Sequence, residues 1–225
     1  MRSVTPAIFF DLDGTLIDSQ PGILASCRAA LRALGYAQEP SLDISTIIGP
    51  PMNEVMRTLL SPYGDERVSE AVAAYREDYG RNGLFDSRPY PGIVRALSEL
   101  RQSEVRLFLA TSKRKEFACR ILDHLQIAVL FEGIYGSEAN GSLDNKSELM
   151  AYIIEKHALK SEHCLMVGDR RYDIFGAHAN SMRALGVLWG YGTKDELEAA
   201  GADGMITLPE QLPACALTMV PQIKI

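Results

Sequence analysis

Four short stretches of the chain, around residues 7–10, 105–110, 164–167 and 184–188, are dominated by apolar residues, and each lies near a segment with helical periodicity. A strand that is hydrophobic on both faces belongs in a parallel sheet covered on both sides, and amphipathic helices supply the cover. Ile93, Val94, Leu97 and Leu100 form one such helix face, Phe117, Ile121, Leu122 and Leu125 a second, and Leu149, Met150, Ile153 and Ile154 a third. The alternation predicts a doubly wound α/β core. Between Asp18 and about Ser87 the rhythm breaks, with three or more helical patterns and no strand. Pro21 suits an early helical position, Ile23, Leu24, Cys27, Leu31 and Leu34 make a stripe, and Gly35 stops it. Val68, Val72, Tyr75 and Tyr79 mark a later helix and read as core contacts. The expected organisation is therefore a core of residues 1–17 and 88–225 with a helical insertion at 18–87. The stretch Arg88-Pro89-Tyr90-Pro91-Gly92 would serve as the hinge between them.

Composition narrows the partners. The chain has 225 residues, 47% of them hydrophobic, enough for a substantial core. Its 23 basic and 29 acidic residues leave a formal charge of −6, and no long basic block offers a footprint for polymeric nucleic acid. A small phosphorylated molecule remains compatible, because a few local cations suffice to hold it. Cys27, Cys119, Cys164 and Cys215 are scattered without metal-ligand spacing and read as packing residues. The four-residue apolar run before Asp11 is too short for a signal peptide, and no run approaches the roughly 18 apolar residues that span a bilayer. A cytoplasmic protein without a membrane partner, monomeric or homodimeric, is expected.

The chemistry sits where strands end. Phe9-Phe10-Asp11-Leu12-Asp13-Gly14-Thr15 terminates an apolar run in two carboxylates spaced to project to one side of an extended chain. Such a pair can supply a nucleophile and a general acid–base. The second strand ends in Thr111-Ser112-Lys113, hydroxyls suited either to a phosphate oxygen or to capping the next helix. The run 164–167 leads into Gly168-Asp169-Arg170-Arg171-Tyr172-Asp173. In an open parallel sheet these ends share one crevice, and hard carboxylate oxygens suit Mg²⁺. Asp173 is expected to support the metal ligands more than to touch the ion. Lys146, in Asp144-Asn145-Lys146-Ser147-Glu148, falls at a helix start where a cation is disfavoured, and a cluster of carboxylates would give it a partner.

Together DLDGT (Asp11–Thr15), LATSK (through Lys113), DNKSE (with Lys146) and GDRRYD (Asp169, Asp173) resemble the four ordered motifs of the haloacid dehalogenase superfamily. The resemblance spans nearly the whole chain. It implies a Rossmann-like core with a small α-helical cap and a Mg²⁺-dependent site. It makes Asp11 the nucleophile on phosphorus and a metal ligand. Asp13 becomes the acid that protonates the leaving oxygen and then activates water, with its backbone carbonyl on the metal. Asp169 becomes a metal ligand by its side chain, and Thr111 and Lys146, with Ser112 as a further candidate, the holders of the phosphoryl group. Asp13 points away from the dehalogenase branch. The histidine usual in the mutase branch is replaced by Ile23, so a phosphomutase is disfavoured. Phe10 to Gly22 resembles the phosphoglycolate phosphatase branch. Ile48-Gly49-Pro50-Pro51, Tyr135-Gly136-Ser137 and Trp189-Gly190-Tyr191-Gly192 look closer to a 5'-nucleotidase branch. Arg57, Arg81, Arg88 and Arg114 are candidates for a substrate anion. A phosphotransferase, or a binding protein that has lost the chemistry, stands as the alternative to a phosphomonoesterase.

Overall fold

The computed structural model of the chain describes residues 5–36 and 44–220. Its strands are β1 (Ala7–Phe10), β2 (Ile17–Asp18), β3 (Arg88–Pro89), β4 (Arg106–Arg114), β5 (Gly133–Ser137), β6 (Cys164–Gly168), β7 (Arg183–Val187) and β8 (Gly204–Ile206). Six of them form one sheet in the order β5-β4-β1-β6-β7-β8, while β2 and β3 pair separately. All recorded pairings in the large sheet are parallel. The chain starts in the middle of this sheet, adds β4 and β5 on one side, then returns to add β6, β7 and β8 on the other. That reversal is a topological switch point, and it puts a crevice beyond the carboxyl ends of β1 and its two neighbours.

Every residue of β1 is buried, as are all five of β6. This is the consequence of cover on both faces. Two strands of the large sheet fall outside the four apolar runs, β5 and β8. Both are edge strands with half-buried first residues, and the two glycines of β5 dilute its hydrophobic signal.

The helices are α1 (Gln20–Ala33), α2 (Ile44–Ile47), α3 (Met52–Leu60), α4 (Val68–Arg81), α5 (Ile93–Gln102), α6 (Lys115–His124), α7 (Lys146–Lys156), α8 (Arg171–Ala179), α9 (Lys194–Ala200) and α10 (Leu212–Met219). Against one sheet face, Phe9 and Phe108 meet edge-on at 5.5 Å, joined by Leu149, Met150 and Ile153 of α7, Ile174 and Ala177 of α8, and Leu197 of α9. Val94 departs from the expected face of α5. It is 42% exposed, and Ile93, Ala96, Leu97 and Leu100 are the buried set, the i, i+3, i+4, i+7 stripe that a 3.6-residue period dictates.

The contacts divide the chain into two compact units, one formed by the segments up to Ile17 and from Pro89 onward, the other by Asp18–Arg88. In the second unit α1 packs on α4. Ser26 donates to Asp78 at 2.7 Å, and the rings of Tyr75 and Tyr79 stack at 5.4 Å. The contact role read for both tyrosines follows from their burial.

Candidate active site

The site begins where β1 stops. Asp11 N–H donates to Val167 O at 3.0 Å, extending the pairing of β1 onto β6 by one step and fixing Asp11 at the sheet's carboxyl edge. The chain then folds back on itself, with Gly14 N–H donating to Ile17 O at 2.9 Å and Leu16 N–H to Leu12 O at 3.0 Å. Gly14 adopts φ +83°, and a Cβ there would overlap the Asp169 carboxylate. Conformation and space both require glycine at this position.

Lys146 enters from α7. The Asn145 side chain caps that helix, accepting from Ser147 N at 2.8 Å and Glu148 N at 3.3 Å, so Lys146 occupies the first helical position. Its Nζ lies 2.8 Å from Asp11 Oδ1, 2.7 Å from Ala110 O and 2.7 Å from Asp173 Oδ1. Burial works against the ammonium, yet the charges of Asp11 and Asp173 outweigh it and hold its pKa above the ordinary lysine value.

Asp169 follows directly on β6 and is fully buried. Thr15 Oγ1 donates to its Oδ1 at 3.2 Å and Tyr191 N–H to its Oδ2 at 2.8 Å. Burial, then the charges of Asp11 and Asp173, push its carboxyl well above the usual range. Asp173, in the first turn of α8, accepts from Arg170 N at 3.1 Å. Burial pushes its carboxyl up to about 6, with Lys146 opposing the shift and Asp11 adding to it. Ligand atoms of Asp11, Asp169 and Asp173 all lie within 4.8 Å of one another. Lys146 thus pairs with two of the three carboxylates, and Asp173 Oδ1, although close to its ammonium, accepts no well-directed hydrogen bond. Oxygen donors with an uncompensated negative charge in a water-poor pocket fit a hard divalent cation.

Thr111 is buried near the end of β4, and its Oγ1 accepts from Lys113 N at 3.2 Å. Ser112 and Lys113 lie in a register break, since Thr111 pairs with Gly136 while Arg114 pairs with the next residue, Ser137. Asp13 forms an ion pair with Lys113, Nζ to Oδ1 2.9 Å. The structure therefore gathers Asp11, Lys146, Asp169 and Asp173 by direct contact or proximity. Thr111 joins them through the strand that carries Ala110, and Asp13 through the turn that begins at Asp11. Among the candidate arginines, Arg114 belongs to β4, whereas Arg57, Arg81 and Arg88 belong to the second unit and are exposed there.

Sequence reasoning placed Thr15 in the first motif and set Trp189-Gly190-Tyr191-Gly192 beside the 5'-nucleotidase branch, but gave neither a part in holding Asp169. Trp189 Nε1 donates to Thr15 O at 3.0 Å, while the neighbouring Tyr191 amide holds Asp169. A Cβ on Gly190 would overlap both the Gly14 carbonyl and Asp169. The only sequence signal was the pair of glycines in Trp189-Gly190-Tyr191-Gly192, a mark of close backbone approach.

Among known proteins, the chain is 39% identical over 196 residues to a 5'-nucleotidase of Pseudomonas aeruginosa, covering 86% of this chain and 87% of that one. It is 41% identical over 192 residues to the tyrosine-protein kinase PtkA of Mycobacterium tuberculosis, covering 85% of this chain and 65% of the kinase's length. A solved structure named as a predicted phosphatase from Clostridium acetobutylicum superposes with a TM-score of 0.87 at 33% identity, over 96% of this chain and all of that one. The profile of the haloacid dehalogenase-like hydrolases matches residues 8–187, from β1 through β7, so it takes in the ends of β1, β4 and β6 that carry the site. The chain belongs to the haloacid dehalogenase-like hydrolase family.

Proposed function

We propose that this chain is a Mg²⁺-dependent phosphomonoesterase that hydrolyses a small phosphorylated metabolite through an aspartyl phosphate on Asp11. The observation that carries the reading is the buried Asp11 carboxylate, held by Lys146 beside Asp169 and Asp173 at the switch point of the sheet. The Asp11 and Asp169 side chains and the Asp13 carbonyl would hold the metal. Bound there, Mg²⁺ would offset the charge of the carboxylates and of the phosphate dianion. Asp173 anchors Lys146 and the start of α8. Asp11 attacks phosphorus as the ester P–O bond breaks, and Asp13 delivers its proton to the leaving oxygen. Asp13 then takes a proton from water, which attacks the same phosphorus and returns Asp11 as a carboxylate. Thr111, Ser112 and Lys146 hold the transferred group through this sequence, and the helical unit 18–88 acts as the cap that selects the leaving group.

The similarity to a 5'-nucleotidase supports nucleoside monophosphates as the first class to assay, with phosphoglycolate second. Asp11→Asn is expected to lower turnover by at least about 10⁴-fold while leaving far-UV circular dichroism unchanged. Near-normal Mg²⁺-dependent hydrolysis by that variant would falsify the reading. The similarity to a protein kinase supports a second reading, phosphoryl transfer to a hydroxyl acceptor other than water. Product analysis with an added alcohol separates the two, since a transferase forms a new phosphate ester where a hydrolase releases only inorganic phosphate.

A further inference from the structure

The reading of Asp13 as acid and base leaves open how its side chain is held, for it stands on a turn beside a glycine. The register break in β4 answers this. Two extra residues, Ser112 and Lys113, sit between consecutive partners on β5, and such a bulge re-aims the side chains it carries. The break is built into both strands. The Lys113 amide turns back to Thr111 Oγ1 at 3.2 Å, and a Cβ on the facing Gly136 would overlap the Lys113 carbonyl. Its result is that a lysine side chain only 6% exposed reaches across to β1's turn and places Nζ 2.9 Å from Asp13 Oδ1. A nearly buried lysine costs free energy unless paired, so the bulge and the ion pair specify one another.

We propose that Lys113 is a positioning residue for proton transfer, fixing the carboxyl of Asp13 towards the oxygen that leaves and the water that replaces it, with Gly136 as the position that permits the bulge. The inference rests on the acid–base reading of Asp13 given above. In the first step the proton passes from Asp13 to the ester oxygen as its bond to phosphorus breaks. A leaving group that is stable as an anion needs that proton little, whereas a basic one needs it fully. Misplacing Asp13 therefore penalises poor leaving groups selectively, which neither a general loss of folding nor a loss of phosphate affinity would do.

The experiment compares kcat/KM for p-nitrophenyl phosphate and phenyl phosphate in the Mg²⁺-loaded protein and in Lys113→Met, Lys113→Arg, Gly136→Ala and Asp13→Asn. Lys113→Met is expected to lose about 100-fold on phenyl phosphate but less than about 5-fold on p-nitrophenyl phosphate, the range set by general acid catalysis. Inhibition by inorganic phosphate should stay unchanged, Lys113→Arg should recover most of the loss, and Gly136→Ala should reproduce the selective pattern. Equal losses on both esters, or weakened phosphate inhibition in Lys113→Met, would assign Lys113 to phosphate binding or folding and overturn the proposal. The Asp13→Asn protein distinguishes the underlying reading. If it shows the selective loss and Lys113→Met does not, only the positioning role fails. If it shows none, the acid–base assignment of Asp13 fails and the inference with it.

Discussion

Lys146 is an ammonium in a place where a lone one would not persist, buried and at the positive end of a helix. What keeps it there is the pair of carboxylates within 2.8 Å, and what those carboxylates need in return is a cation. Removing one member of such a set leaves buried charge uncompensated, which typically costs about 3–5 kcal/mol. Lys146→Met is therefore expected to lose about that much stability in urea titrations and to lose turnover as well. A variant within about 1 kcal/mol of the parent would show the carboxylates to be screened by something other than Lys146. At this scale Asp11, Thr111 and Asp169 were legible because each follows an apolar run, and Asp13 because it stands two residues beyond Asp11. The Lys113–Asp13 pair was not. It depends on a bulge, and nothing in the local pattern Leu109 to Arg114 announces one.

Among the elements, α7 delivers its lysine only because its first turn is fixed. Asn145 accepts from two of the otherwise unpaired amides of that turn, and truncating such a cap costs about 1 kcal/mol. For a chain of this size that is about 2–4 °C in Tm. Asn145→Ala should show this drop together with reduced kcat, and Asn145→Asp, which can cap equally well, should show neither. A reduced kcat at unchanged Tm would place Asn145 in contact with substrate instead. The segment after β7 works in the same way on Asp169: the Tyr191 amide holds its carboxylate, while the Trp189 N–H ties the same segment to the turn that follows β1. That bracing joins residues more than 170 positions apart, a pairing that follows from strand order and not from sequence spacing.

Over the whole molecule, the acidic cluster links stability to pH and to metal. Asp169 and Asp173 titrate higher in the folded protein than the roughly 3.9 of an unperturbed aspartate, Asp173 at about 6. With the folded pKa raised, the stabilising contribution of Asp173 is complete below about pH 4 and is lost as pH climbs through about 6, and that of Asp169 is lost as pH climbs through its own well-raised pKa. Lys146, raised above its usual value, loses nothing in that window. The metal-free protein thus carries an electrostatic penalty at neutral pH, which Mg²⁺ bound as proposed would relieve. Mg²⁺ at 100 times its Kd should add about 2.7 kcal/mol at pH 7.5, about 5–10 °C in Tm, and far less at pH 4.5. Thermal unfolding with Mg²⁺ or chelator at the two pH values checks this, and equal increments at both would remove the cluster from the explanation. Asp169→Asn should abolish the difference. No helix among the described residues is long and apolar enough to cross a membrane.

The amino-acid order alone determined the parallel α/β core, the helical character of the insertion and the aspartates at the strand ends, because burial on two faces and helical periodicity are local patterns that solvent enforces residue by residue. It missed β5 and β8, whose edge positions ask for less hydrophobicity. Only the tertiary structure decided which side chains face each other across strands: Lys146 on Asp11 and Asp173, Lys113 on Asp13, Tyr191 and Thr15 on Asp169. Those pairings come from the register, the bulge and the reversal of strand order, and such features exist only once distant segments have been packed into one sheet.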